Sequence, residues 1–377
     1  MQRVQRIPAP TKSKKLLVNT RQICCLVAFV LPVYKLLETP SLLSQNALGD
    51  LLIPAFLQFF TQFIGVFALV WITEKTGKGV YTLIKEKLGV GVAKTFYILL
   101  AVYFLFSSAL PLLDLEKYTH AVFYDTAPSR FTFAPFFLFS GYVCLKNLRA
   151  LGRMAELCAP VFILAFVGLI AISVGESDLQ SILPWFEFPF KKIALAVKNT
   201  TPHFADALLL LPFLDNCDYK KGDWKKISGS FWLGAVFAMI FFAVFYGIYT
   251  TLSPSKHYAF SKIAQYFPAL KTVGRVDLLL TYLLTVILSL VTALPILLCC
   301  FCVKTVFGDR VGKITAIIVN LALFLFLLYC NKYYTAIYVF FQDKLWWIFP
   351  LFNLVIPLLC LGLLIGERRK REVVYAK

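Results

Sequence analysis

The chain alternates between long apolar stretches and short polar ones, and the apolar stretches have the length of membrane-spanning helices. A helix needs roughly 20 apolar residues to cross a bilayer core of about 30 Å. The alternation therefore predicts an all-α polytopic membrane protein with ten transmembrane helices, numbered spans 1 to 10. Scanning by that criterion gives the segments 22–44, 51–73, 95–115, 131–147, 155–175, 200–214, 229–252, 278–303, 314–330 and 345–366.

Composition excludes most classes of soluble protein. Hydrophobic residues make up 59% of the chain and charged residues 15%, with a mean hydropathy of +0.76. A typical soluble domain has about 45–50% apolar and about 25% charged residues. A water-soluble globule cannot bury this much apolar surface, which excludes soluble enzyme folds, coiled coils, disordered chains and secreted disulfide scaffolds. The many long apolar runs also argue against a monotopic protein with interfacial helices.

The basic residues set the orientation of the chain in the membrane. Lys and Arg number 38 and Asp and Glu 20, for a net charge of +18. In a soluble chain that charge would suggest nucleic acid, but here the basic residues lie in short loops, so we expect no nucleic-acid partner. With a cytoplasmic N-terminus, 26 of them fall on the cytoplasmic side and 11 on the other. The bias predicts that both termini are cytoplasmic.

The predicted spans leave no room for a soluble domain, so residues 1–377 form a single transmembrane domain. The loop at 78–94 mixes Lys with apolar residues at helical spacing, which predicts an interfacial helix on the inner leaflet. The domain divides into a cytoplasmic N-terminal tail (1–21), a first five-helix repeat (22–175), an external amphipathic connector (176–199), a second five-helix repeat (200–366) and a cytoplasmic basic tail (367–377).

Spans 1 and 6 are unusual because they combine prolines with charged side chains. A charge at mid-bilayer costs about 2.5–3.5 kcal/mol on the insertion scale. Proline removes a backbone donor and breaks the helix, and the freed backbone groups then need a polar cavity or a ligand. The two spans open the two halves of the chain, so the pattern predicts a 5+5 inverted repeat with a binding site at the breaks. The residues concerned are Pro32, Lys35, Glu38 and Pro40 in span 1, and Pro202, His203 and Asp206 in span 6.

Helical rise places two of these charges at the same depth. At about 1.5 Å per residue, Lys35 and Asp206 each lie roughly 21 Å from the inner face, so we expect them to meet. Glu38 follows Lys35 by three residues and shares its face if the helix continues. A purely structural buried pair and an interior histidine at position 203 remain alternatives to a ligand site, as do simple proline kinks.

Further polar residues in spans 3 and 8 extend the candidate site. Thr281, Thr285, Ser289 and Thr292 form a row of hydroxyls at helical spacing, which lines a cavity or serves helix packing. The complete set of predicted substrate-binding residues is Tyr34, Lys35, Glu38, Thr39, Tyr103, Ser107, His203, Ala205, Asp206, Thr281 and Thr285.

The sequence contains no catalytic signature. The patterns HExxH, GxSxG and the Walker loop are absent, and the glycines at 89 and 91 lack a third glycine and a βαβ frame. Cys299 and Cys302 have CxxC spacing but lie in an apolar run, which is typical of buried thiols. We therefore expect a non-enzymatic protein without catalytic residues, bound metal or cofactor. A coupled H⁺ or Na⁺ stays open.

Short motifs give the chain a resemblance to a known family. The segment 151–160, which leads into span 5, contains Arg153 and Glu156, and the C-terminal tail is basic. With the segments 182–184, 211–213 and 275–277, these motifs resemble the spore germination permeases, the B subunits of germinant receptors. That family lies within the amino acid–polyamine–organocation transporter superfamily. Span 1 departs from the family pattern, because Lys35, Glu38 and two prolines replace the small residues expected at its break.

The resemblance implies both a fold and a function. The fold is the LeuT-like inverted repeat with broken helices 1 and 6. The function is that of a nutrient-sensing subunit in the inner membrane of the spore, which binds a small amino acid or similar ligand between helices 1, 3, 6 and 8. Its partners are an A-type subunit and a lipoprotein C-type subunit, within the lipid bilayer. The alternative is a proton- or sodium-coupled secondary transporter of amino acids or amines.

Overall fold

The computed structural model describes residues 17–123, 128–183, 186–266 and 276–363, and these residues are nearly all helical. Six helices of the described chain are long and apolar enough to cross a membrane, and a bent pair in span 10 raises that number to seven. Spans 1 and 6 consist of shorter pieces, and the apolar part of span 4 is limited to Phe131–Cys144. The predicted tail 367–377, most of the tail 1–21 and Arg275 lie outside the described residues.

The first half of the chain contains spans 1 to 5. Span 1 is divided into Thr20–Cys25, Leu26–Val30, Pro32–Lys35 and Thr39–Ala47. The interfacial helix expected within 78–94 is present as Val80–Leu88. The other helices are Leu52–Thr76 (span 2), Val90–Ser107 and Ala109–Phe123 (span 3), Ser129–Cys144 (span 4) and Leu148–Ser173 (span 5).

The second half contains spans 6 to 10. A separate helix, Ala259–Tyr266, lies between spans 7 and 8. Span 6 is divided into short pieces. The pieces of span 6 are Phe190–Thr200, Thr201–Phe204, Ala207–Leu210 and Leu211–Leu214. The others are Asp223–Tyr249 (span 7), Val276–Phe307 (span 8), Asp309–Cys330 (span 9) and the pair Tyr334–Asp343 and Ile348–Leu363 (span 10), bent by 58°.

The break in span 1 follows from its backbone hydrogen bonds and its second proline. The amides of Leu36 and Leu37 bond three residues back instead of four, at 3.1 and 3.2 Å, which tightens the chain and ends the helix at Lys35. Pro40 then lies at the start of the next helix, where its missing N–H is not needed. Because the helix does not continue past Lys35, Glu38 does not share the face of Lys35.

The predicted external connector and span 6 are continuous in the structure. The connector 176–199 was expected to lie outside the broken span, but its helix Phe190–Thr200 runs directly into the turn Thr201–Phe204. The helix packs along Thr39–Ala47, so the second piece of span 1 and the first piece of span 6 lie side by side. One face carries exposed lysines and the other is buried, and this amphipathic pattern is also that of an interfacial helix.

The end of the molecule predicted to be cytoplasmic is held together around the start of span 1. The strand Val18–Asn19 pairs in parallel with Cys217–Asp218, which follows span 6. Arg21 Nε donates to Glu156 at 2.7 Å, and a Cβ added at Gly152 would lie 2.9 Å from the side chain of Gln22. The segment 151–160, which carries the family resemblance, therefore positions the beginning of span 1.

Candidate functional site

A buried ion pair joins the breaks of spans 1 and 6. The ammonium of Lys35, the last residue of its helix, donates to Oδ2 of Asp206, which lies between the two short turns of span 6. The side chain of Lys35 is 2% exposed and that of Asp206 13%. The expectation that these residues meet is confirmed, and their part in ligand binding stays a prediction.

Aromatic rings and a small cavity surround the pair. Lys35 Nζ lies 5.4 Å from the ring centre of Phe204 and 6.0 Å from that of Phe59, within range of cation–π attraction. The adjoining cavity, between spans 1, 2, 6 and 7, has a volume of about 10 Å³, which admits about one water molecule. Gln62 lines it, and no described residue donates to the buried Oε1 of Gln62. Lys35, Asp206 and Gln62 line the cavity among apolar side chains, and it is too small for a nutrient molecule in this conformation.

Glu38 lies on the other side of the span 1 break and does not contact the ion pair. Its carboxylate accepts from His257 Nδ1 at 3.1 Å and from the backbone amide of Tyr258 at 3.2 Å. The amide of Ala259 donates to the carbonyl of Leu37 at 2.8 Å. The hydrogen bond to Glu38 raises the pKa of His257. Glu38 thus fixes the break to the loop after span 7, and the condition for it to share the face of Lys35, a helix that continues, is not met.

A second buried carboxylate, Asp114 in span 3, collects side chains from three other spans. Tyr34 and Tyr334 donate to its two oxygens, at 2.7 and 3.1 Å, and His203 Nε2 lies 3.8 Å away. The His203 ring stacks on Tyr34, with 5.2 Å between centroids, and contacts the hydroxyl of Tyr338 at 3.5 Å. We call these five residues the Asp114 cluster. It contains two predicted site residues, Tyr34 and His203, and three that the sequence analysis missed.

Tyr103 meets span 10 at another polar contact. The side-chain amide of Asn353 donates to the hydroxyl of Tyr103 and accepts from the backbone amide of Leu208 at 3.1 Å. Gly65 permits this approach, because a Cβ there would lie 2.1 Å from the carbonyl oxygen of Asn353. Asn353 therefore connects spans 3, 6 and 10 next to the break in span 6, and the sequence analysis missed it.

The predicted residues of span 8 do not join the site. Thr285 contacts the hydroxyl of Tyr118 at 2.9 Å and donates to the carbonyl of Thr281 at 2.7 Å. Thr285 also lines a cavity of about 350 Å³ between spans 3, 4 and 8, which shares no lining residue with the cavity beside Lys35. Both interpretations of the hydroxyl row therefore have support: Thr285 and Ser289 line a cavity, and Thr285 also bonds span 3 through Tyr118.

The other predicted residues lie in or near the breaks. Ser107 donates to the carbonyl of Phe104 at 3.1 Å, within its own helix. Ala205 is buried in the break of span 6, next to Asp206. Thr39 is fully buried at the start of its helix, and its hydroxyl has no hydrogen-bond partner within the described chain.

Comparison with known proteins identifies the family. The model of the family described as "Spore germination protein" matches residues 49–335, which is more than half of the chain. The chain belongs to the spore germination protein family. No curated protein sequence matches this spore germination protein.

Solved structures identify the fold of this spore germination protein. MhsT, whose structure was determined in complex with L-phenylalanine, superposes with a TM-score of 0.61 over 92% of this chain and 88% of its own, at 13% identity. Mhp1, a nucleobase-cation-symport-1 family transporter in a closed conformation with bromovinylhydantoin bound, gives a TM-score of 0.46 at 17% identity, covering 85% and 76% of the two chains. The first match establishes a LeuT-type fold. The protein is thus a multi-pass membrane protein of the spore germination protein family with a LeuT-type fold.

Proposed function

We propose that this spore germination protein is a nutrient-sensing subunit of a germinant receptor and binds a small amino acid or similar ligand at mid-membrane. The Lys35–Asp206 pair is the observation that carries the proposal, because it joins the two broken spans at the centre of a transporter-like fold. Removing two charges from water costs several kcal/mol per ion, and their attraction repays this only with good geometry. A stabilising role alone is a weak explanation for such a pair.

A zwitterionic ligand carries the same two charges as the pair. Its carboxylate would bind Lys35 and its ammonium a carboxylate of the protein, so the ligand would compete with Asp206 for Lys35. The cavity of about 10 Å³ beside the pair requires the breaks to move apart before a nutrient enters. The ligand would therefore favour an arrangement of spans 1 and 6 that differs from the closed one, and this difference in affinity is what transmits a signal.

The cellular setting of the proposal follows from the family. The protein would lie in the inner membrane of the spore with both termini cytoplasmic, and would pass its signal to an A-type and a lipoprotein C-type subunit. The family match and the transporter-like fold support this setting. In this proposal spans 1, 3, 6 and 10 contribute side chains, because Tyr34 of span 1 and Tyr334 of span 10 both donate to Asp114 of span 3, beside His203 of span 6.

Germination of spores tests the proposal. In spores whose own copy is replaced by Asp206→Asn, the concentration of nutrient for half-maximal germination should rise at least tenfold, with the protein still present in the membrane. The matched control is Asp343→Asn, which removes an exposed ion pair with Lys198 and should leave germination unchanged. Unchanged sensitivity in Asp206→Asn refutes the assignment. Uphill uptake of an amino acid into vesicles, driven by a proton or sodium gradient, would identify a transporter instead.

A further inference from the structure

The Asp114 carboxylate is fully buried and lacks a close cation. Its hydrogen bonds come from the phenols of Tyr34 and Tyr334, which orient a carboxylate but bring no positive charge. Two basic side chains approach it: His203 Nε2 lies 3.8 Å from the carboxylate, beyond hydrogen-bond distance, and Lys117 Nζ lies 5.7 Å from the ring centre of Tyr334. An unpaired buried carboxylate is costly, so the site favours an added cation.

The side chains around Asp114 suit an organic ammonium. Tyr34 and Tyr334 direct their hydroxyls at the carboxylate, and the His203 ring stacks on Tyr34 and lies beside Tyr338. An ammonium group has three N–H donors, enough for both oxygens of Asp114 and a phenol oxygen. The buried Nδ1 of His203 has no partner in the described structure, so the cluster is not saturated with hydrogen bonds.

The other carboxylates near the breaks are already occupied. Asp206 is neutralised by Lys35, and Glu38 accepts from His257 and from a backbone amide. Glu116 lies two residues beyond Asp114 and therefore points to a different side of the same helix. Asp114 is thus the carboxylate near the breaks that is best placed to receive a cation.

We propose that Asp114, within its aromatic cluster, binds the ammonium group of a primary amine. This inference rests on the proposed function and assigns the amine-recognising residue of its ligand. The ammonium replaces the hydroxyl of Tyr34 on Asp114. Tyr34 and Lys35 are consecutive in the short helix Pro32–Lys35, so release of Tyr34 moves Lys35 with it and loosens the Lys35–Asp206 pair. Binding of an amine at span 3 is thereby coupled to the contact between spans 1 and 6.

Calorimetric titration of the full chain in lipid nanodiscs tests the assignment with matched pairs of probes. The pairs are L-alanine and L-lactate, L-phenylalanine and L-phenyllactate, and n-propylamine and 1-propanol, which differ in one amine or hydroxyl group. For at least one pair the amine should bind the wild-type protein at least tenfold more tightly than the hydroxyl compound. Absence of any amine preference, or of any binding, overturns the inference.

Four variants show which carboxylate is responsible for the preference for the amine. Asp114→Asn should abolish it by weakening the amine at least tenfold, while Asp50→Asn, at a buried carboxylate that bonds the backbone of the loop before span 6, should retain it. Tyr34→Phe should bind the amine several-fold more tightly because the competing phenol is gone. If Asp114→Asn does not fold, unchanged affinity in Tyr34→Phe overturns the inference. An amine preference that survives Asp114→Asn but disappears in Asp206→Asn overturns it and leaves the proposed function standing.

Discussion

Replacing Lys35 with methionine keeps an unbranched side chain of similar size but removes the ammonium from the buried pair. Asp206 then remains mostly buried beside an apolar side chain, with its charge uncompensated. Breaking a buried ion pair by removing one partner costs about 3–5 kcal/mol, because the other charge stays buried. With Lys35 only 2% exposed, Lys35→Met should lower the free energy of unfolding by about that amount.

A double variant separates this charge effect from lost packing. Lys35→Met with Asp206→Asn removes both charges, so it should lose much less stability than Lys35→Met alone, and the coupling energy should exceed about 2 kcal/mol. Lys198→Met is the matched control, since its pair with Asp343 is 3.1 Å long with side chains 30% and 55% exposed. Pairs exposed to this degree contribute about 0–1 kcal/mol.

Equilibrium unfolding in mixed micelles measures these differences. The free energy of unfolding is determined for the wild-type protein, both single variants, the double variant and Lys198→Met. The reasoning fails if Lys35→Met costs no more than Lys198→Met. It also fails if the losses of the two single variants simply add in the double variant, because the charges would then not depend on each other.

Three further outcomes follow from contacts around the breaks. Gly65→Ala should cost about 1–3 kcal/mol or more because its Cβ would lie 2.1 Å from a backbone oxygen of Asn353, whereas Gly141→Ala faces open space and should not lower the unfolding temperature. Asn353→Ala should cost about 1–3 kcal/mol by leaving a buried amide of span 6 unpaired, measured by the same unfolding assay. Because Glu38 raises the pKa of His257, their bond is fully present below about pH 6.5 and is lost as pH rises through the raised pKa. Hydrogen exchange in the loop after span 7 should therefore accelerate with pH more in the wild type than in His257→Gln, after correction for intrinsic exchange; equal profiles contradict this.

The contact between Lys35 and Asp206 was predictable because the depth of each residue depends on two regular quantities. The rise of a helix and the thickness of a bilayer fix the depth of a residue, and costly charges at one depth are expected to pair. For Glu38 the same reasoning depended on a continuous helix, and the amides between Lys35 and Glu38 bond three residues back instead. Breaks were predictable from proline, but the direction of side chains beyond them was not.

The Asp114 cluster escaped the sequence analysis for a related reason. Asp114 stands at the end of predicted span 3, where a carboxylate is expected to reach water, but the helix continues to Phe123 and buries it. Tyr334 and Tyr338 lie in a segment assigned to a loop, and in the structure they form the first half of a bent span. A helix of 10 residues is too short for a criterion that looks for roughly 20 apolar residues in one helix. The same applies to Phe190–Thr200, whose exposed lysines are typical of an interfacial helix.

Thermal unfolding of the purified protein against a panel of amino acids, nucleosides and sugars tests the central claim most directly. A ligand that binds only the folded state stabilises it by about 2.7 kcal/mol at a hundredfold excess over its Kd. The account predicts that one class of small nutrient raises the unfolding temperature of the wild-type protein and of Asp343→Asn, but not of Asp206→Asn. A shift of equal size in Asp206→Asn, or no shift with any nutrient of the panel, would contradict a ligand site at the Lys35–Asp206 pair.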